Sequence, residues 1–194
     1  MIAHIEGKLT YKSPAYVVID CGGVGYALQI SLNTYDKIGV GEKCKLLAHL
    51  AIKEDSHTLY GFADEDERQL FLHLISVSGV GTNTARVILS SMKPSDVINA
   101  ISAGNWALLK SVKGIGPKTA QRLVIDLQDK LKNFATDATG LGFVTRSAAV
   151  EEALSAMLAL GFGKNDAEKA ILKLKQQNPD YTVEQLVKNA LKIL

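Results

Sequence analysis

The chain has 194 residues, of which 47% are apolar, with 22 Lys and Arg against 20 Asp and Glu for a formal net charge of +2. That length allows one large domain or two to three small ones with packed cores. The two cysteines, Cys21 and Cys44, have no CxxC spacing and no nearby His cluster, which argues against a disulfide framework or a metal site. No charged-then-apolar secretory pattern opens the chain and no run approaches a membrane span, so a cytoplasmic protein without membrane contact is expected.

Residues 1–62 read as short strands: Ile2–Leu9, Ala15–Asp20, Val24–Ile30, Cys44–Ile52 and Thr58–Phe62. Alternating apolar positions and β-branched residues support the strands, and the Gly and Pro clusters support the turns. Five such strands, with a brief irregular or helical piece at Ser31–Ile38, predict a small closed barrel of OB type. Such barrels often bind nucleic acid, but the fold alone does not prove it. Between the last two strands stand two adjacent acids, Glu54 and Asp55. They read either as an ordinary solvated turn or, beside a DNA-gripping module, as a wedge of negative charge that repels phosphates and holds strands apart.

Residues 63–132 read as helical. Asp64 with Glu67 forms an expected capping box for a helix through Leu70, Phe71 and Leu74. Ser95 and Asp96 are expected to open another helix after Pro94, closed by Gly104 or Asn105. Trp106 is expected as a core anchor between hairpins rather than a base-stacking platform. Aromatics are only 6% of the chain and do not interleave with basic residues.

Inside this region lie two near-copies. A shift of 35 positions pairs Leu74 with Leu109, Ser76 with Ser111, Val77 with Val112, Gly79 with Gly114, Gly81 with Gly116, Thr84 with Thr119 and Ala85 with Ala120. Repetition of this kind reports a repeated supersecondary unit. Each copy is an apolar helical run, a Gly-hydrophobic-Gly turn pinned by Val80 or Ile115, and a second helical run. A helix that starts after the turn has unpaired first-turn N–H groups and a partial positive charge, so it accepts a phosphate oxygen without reading a base. This is the helix-hairpin-helix pattern of non-sequence-specific DNA binders, and two copies in register are a strong signal.

Gly114–Thr119 is not a P-loop, because no Gly stands five positions before a Gly-Lys-Ser/Thr run. It is not a dinucleotide fingerprint either, lacking the third Gly and a preceding strand pattern. From Arg68 to Lys132 nine Lys and Arg face three Asp, a local charge of +6 that suits a phosphate-facing surface. The acidic run Asp64–Glu67 beside it masks this asymmetry in the total.

Residues 133–147 lose periodicity and are expected as a mobile linker. Residues 148–194 regain it as three helices, roughly Ala148–Leu160, Asn165–Gln176 and Val183–Leu194, a small module of ubiquitin-associated type with Leu160-Gly161-Phe162 as its first turn. A compact module of this size on a tether is expected to bind a protein partner.

The order is OB-fold β-barrel, central all-α tandem helix-hairpin-helix domain, linker and three-helix UBA-like domain, a multidomain α+β architecture. It resembles the RuvA family of bacterial Holliday junction-binding subunits over essentially the whole chain. The resemblance is carried by Gly22-Gly23-Val24-Gly25-Tyr26, Glu54-Asp55 with Leu59-Tyr60-Gly61-Phe62, the two Gly-x-Gly turns, Lys118-Thr119-Ala120 with Arg122-Leu123, and Ala159-Leu160-Gly161-Phe162.

The resemblance implies a homotetramer, sometimes stacked into an octamer, that holds a four-way junction open. It implies backbone contacts from Gly79, Val80, Gly81, Thr82, Asn83, Thr84 and Arg86 in the first motif, and from Lys113, Gly114, Ile115, Gly116, Lys118, Thr119 and Arg122 in the second. It makes Glu54 and Asp55 acidic pins at the crossover. It makes 148–194 the docking domain for a RuvB-type hexameric ATPase, with a RuvC-type resolvase acting on the same junction in DNA recombination and repair.

Two departures stand out. The family commonly has Pro-Lys where this chain has Thr82-Asn83, and two consecutive lysines where it has Pro117-Lys118. Phosphate affinity is then either weaker or shifted onto Arg86, Lys113 and Arg122.

The leading expectation is a sequence-independent junction-DNA scaffold with no catalytic residues, metal or cofactor of its own. His4, His49, His57 and His73 are scattered and form no nucleophile–base arrangement. The enzyme-class rival is a helix-hairpin-helix glycosylase or nuclease, for which Asp126 and Asp129 are the available acids, although they suit a solvated helix face equally well. A pure protein adaptor built on the C-terminal module is the third reading.

Overall fold

Alternating inward apolar residues build the strands β1 (His4–Lys12), β2 (Tyr16–Asp20), β3 (Gly25–Gln29), β4 (Lys43–Ile52) and β5 (His57–Phe62). They close into a barrel in the order β1-β2-β3-β5-β4. This is a computed structural model that describes residues 2–39, 43–139 and 148–194. All neighbouring strands pair antiparallel except β3 and β5, which run parallel at Leu28↔Leu59. Val17, Ile19, Leu28 and Leu46 fill the interior. Closure removes the free strand edges that would otherwise template aggregation.

The chain divides into two compact units, Met1–Gly140 and Leu141–Leu194. In the first, the short helix α1 (Leu32–Lys37) bridges β3 and β4. It is followed after the barrel by α2 (Glu65–Ile75), α3 (Thr82–Ser91), α4 (Pro94–Ser102), α5 (Trp106–Lys110) and α6 (Pro117–Thr139). Barrel and helices share a core. Phe71 of α2 meets Tyr60 and Phe62 of β5 with ring centroids 5.1 and 5.0 Å apart, and His49 of β4 at 5.6 Å. Burial, helped by the nearby Arg68 charge, holds the His49 imidazole below its usual pKa.

Several local expectations are corrected. Asp64 does cap α2, accepting from the Glu67 N–H at 3.0 Å. The reciprocal half of the capping box is missing because the Glu67 side chain turns inward, where Ser31 and Thr34 donate their hydroxyls to it. Helix α4 is opened by Lys93 as N-cap with Pro94 in the first turn, rather than by Ser95 and Asp96. Proline lacks only an N–H that the first turn leaves unpaired anyway. Gly104, at φ +71°, follows the end of α4, and Asn105 caps α5, accepting from the Leu108 N–H at 3.2 Å. Helix α6 runs to Thr139, beyond Lys132 where the helical region was expected to end. The remainder of the expected linker, 140–147, lies outside the described residues.

The second unit consists of α7 (Ala148–Ala159), α8 (Lys164–Gln177) and α9 (Val183–Ile193), packed around Val150, Ala153, Met157, Ala167, Ile171 and Leu186. Gly161 at φ +93° turns the chain between α7 and α8. A complete capping box between Thr182 and Gln185 starts α9. No helix among the described residues is long and apolar enough to cross a membrane.

Candidate nucleic-acid interface

The 35-residue repeat holds at the level of single hydrogen bonds. Val77 and Val112 N–H donate to Leu74 and Leu109 O, each at 3.2 Å. Val80 and Ile115 N–H donate to Val77 and Val112 O at 3.0 and 3.1 Å, and Ala85 and Ala120 N–H to Gly81 and Gly116 O at 2.9 and 3.0 Å. The hydroxyls of Ser76 and Ser111 donate to His73 and Leu108 O at 2.7 and 2.6 Å. Val80 and Ile115 are buried and fasten each turn to its helices.

The two glycines of each turn have different reasons. Gly79 and Gly114 both stand at φ +90°, a region that costs an L-residue roughly 1–2 kcal/mol. Gly81 has φ −83° and ψ 168°, which any residue adopts. A Cβ added at Gly81 or at Gly116 would meet nothing within 4 Å. Neither backbone conformation nor packing within the chain explains glycine at Gly81, and packing does not explain it at Gly116. What a missing side chain provides at an exposed helix start is close approach from outside.

Helix α3 begins there without a side-chain cap, leaving its first-turn N–H groups to a solvent or ligand oxygen. Around the first turn Gly79, Gly81 and Asn83 are exposed or half-buried, as are Thr82 and Thr84. Around the second, Lys113, Gly114, Gly116, Lys118 and Arg122 are exposed and Thr119 half-buried. Pro117 opens α6 and donates no N–H. Arg122 has one loose ion pair, Nε to Asp126 at 3.8 Å. The cations thus gather on the second turn, while the first presents neutral side chains.

Arg86 differs from the other cations. Its guanidinium donates to Ala15 O at 3.0 Å, Gln29 Oε1 at 2.7 Å and Asn83 Oδ1 at 3.0 Å. The Tyr60 hydroxyl donates to Thr82 Oγ1 at 2.9 Å. At the other end of α3, Asn33 Nδ2 donates to Leu89 O and Met92 O. The barrel at one end, and α1 at the other, therefore grip the helix of the first motif. Sequence reasoning missed these contacts, because the barrel partners of Arg86 lie 57 and 71 residues away and no local pattern marks them.

Glu54 and Asp55 occupy the exposed tip between β4 and β5, closed by Lys53 N–H donating to Ser56 O at 2.9 Å. Leu47 and Ala51 of the same hairpin pack on the helical core. Trp106 is not the expected core anchor: it is 39% exposed at the start of α5, whose buried residue is Leu109.

The barrel, the matched turns and the separate three-helix unit define the class: an OB-type barrel carrying tandem helix-hairpin-helix motifs, with an appended three-helix domain. Family models match in the same order. The RuvA N-terminal domain covers residues 1–61, the SAM-like helix-hairpin-helix tandem 71–129, and the RuvA C-terminal domain 148–194. Proteins named Holliday junction branch migration complex subunit RuvA are 51% identical in Flavobacterium psychrophilum, 50% in Bacteroides thetaiotaomicron and 50% in Christiangramia forsetii, each over 100% of both chains. The chain belongs to the RuvA family.

Proposed function

We propose that this chain binds four-way (Holliday) junction DNA by structure rather than sequence, as the DNA-holding subunit of a branch-migration complex. The observation that carries the reading is the pair of superposable turns whose second glycines have no packing partner inside the chain, each opening a helix toward solvent. Backbone N–H groups around Gly79–Thr84 and Gly114–Thr119 take phosphate oxygens, and Lys113, Lys118 and Arg122 add charge. None of these groups reads a base edge, so binding is sequence-independent.

A single subunit offers two modest grips. A homotetramer, or a stacked octamer, multiplies them around the crossover by effective concentration. Glu54 and Asp55 would face the strand exchange point and repel phosphates there. ATP hydrolysis belongs to a RuvB-type motor recruited through 148–194, and a RuvC-type resolvase is a further partner on the same DNA. The pairing of Asp126 with Arg122 on an exposed helix face favours a solvated surface over an acid poised for glycosylase or nuclease chemistry.

The test is a gel-shift comparison of a synthetic four-way junction with linear duplex of equal length. Tighter junction binding that is indifferent to sequence is expected, and equal affinity for both would overturn the reading. Strand cleavage by the purified protein with Mg²⁺ would favour the enzyme rival.

A further inference from the structure

We infer that Arg86 is a positioning residue of the first hairpin motif and not one of its phosphate ligands, so that this motif is a barrel-braced half-site whose one cation is anchored within the chain, while the second motif carries the exposed cations. The inference rests on the DNA-binding reading above and assigns different physics to its two halves.

Three oxygens on three separate segments meet the Arg86 guanidinium: Ala15 O before β2, Gln29 Oε1 at the end of β3, and Asn83 Oδ1 in the first turn of α3. Three of the five guanidinium N–H donors are engaged in this way, both of those on Nη1 with Ala15 and Gln29, which fixes the plane of the fork, and the side chain is half-buried. Turning it toward a phosphate would break the Gln29 and Ala15 bonds and release Asn83. The amide of Asn83 is oriented by this contact: with Oδ1 held by Arg86, its Nδ2 donors are directed elsewhere. Thr82 is set in the same way by the Tyr60 hydroxyl at 2.9 Å.

The two side chains that follow the first Gly-Val-Gly are thus fixed by residues of the barrel or through a residue anchored on it. A neutral donor placed this firmly loses little entropy on binding. The second motif has the opposite character: Lys113 and Lys118 are exposed, their charged ends in water. Such cations contribute by counterion release.

The two roles separate by how Arg86 couples to Gln29 and Asn83, with the salt slope as the control for charge. Kd for a synthetic four-way junction is measured across a salt series with the full chain and with Arg86→Lys, Gln29→Ala, Asn83→Ala and the Arg86→Lys/Asn83→Ala double variant. Lysine keeps the charge but loses the fork. The expected result is weakening by about fivefold for Arg86→Lys and for Gln29→Ala, the worth of one net hydrogen bond, with the slope of log K on log salt unchanged. The double variant should bind no more weakly than Asn83→Ala alone. Ethylation interference should lose one subset of protected phosphates and keep the other, which general loosening of the fold would not do.

Full affinity in Arg86→Lys, or tighter binding when Gln29→Ala frees the guanidinium, would make Arg86 a phosphate ligand and overturn the inference. So would fully additive losses in the double variant. These outcomes leave junction preference intact, whereas equal binding of junction and linear duplex by the unaltered protein would remove the function and leave the double-variant comparison to judge Arg86 on any DNA.

Discussion

Thr34 donates its hydroxyl to the Glu67 carboxylate at 2.7 Å, with both residues at 0% exposure. Ser31 donates to the other carboxylate oxygen, and Thr34 Oγ1 also accepts from the Ala63 N–H at 3.1 Å. One acid thereby joins α1, the end of β5 and α2 at the seam between barrel and helices. Burial is the largest influence on its carboxyl and raises its pKa above the usual value, despite the two donated hydroxyls.

A pH dependence follows. With the folded pKa above the unfolded value of about 4.3, the native state binds the extra proton and stability falls as pH rises from that value through the folded pKa. Chemical denaturation from mildly acidic pH upward should show this decline, and Glu67→Gln should flatten it. Glu67→Ala should cost about 1–3 kcal/mol, because two buried hydroxyls lose their acceptor. Equal pH profiles for the unaltered protein and Glu67→Gln would contradict the assignment.

The glycines of each turn should separate fold from function. Gly79→Ala and Gly114→Ala force an L-residue to φ +90° and should cost roughly 1–2 kcal/mol of stability. Gly81→Ser supplies the cap α3 lacks and should leave stability unchanged or a few tenths of a kcal/mol higher, yet weaken junction binding. Thermal unfolding and a gel shift on the same samples check both halves.

Lys118→Gln should reduce the slope of log K against log salt by roughly 0.9 for each phosphate left un-neutralised across the assembly, equally for unrelated junction sequences. A weakening confined to one sequence would point to base reading instead.

Replacing the acidic tip by Glu54→Gln and Asp55→Asn should change stability by less than about 0.5 kcal/mol, since both side chains are exposed. Junction binding should be kept or tightened. On the proposed role of these acids in parting strands, a 2-aminopurine placed at the crossover should report fewer unpaired bases.

Removing residues 148–194 should leave junction affinity intact and abolish stimulation of a RuvB-type ATPase. The three-helix unit has its own hydrophobic core.

What the amino-acid sequence determined by itself was local. The Gly-x-Gly turns, their buried Val80 and Ile115 and the helices on either side follow from contacts between residues a few positions apart, so the repeat could be read directly and its hydrogen bonds match. Strand alternation disclosed the barrel for the same reason. Only the tertiary structure decided what distant residues do to one another. It turned Glu67 from a cap into a buried link to Ser31 and Thr34, exposed Trp106, and engaged Arg86 with Ala15, Gln29 and Asn83. A charge count treats every arginine as available to DNA. Whether its donors are already taken depends on strands dozens of residues away that folding brings within hydrogen-bond reach.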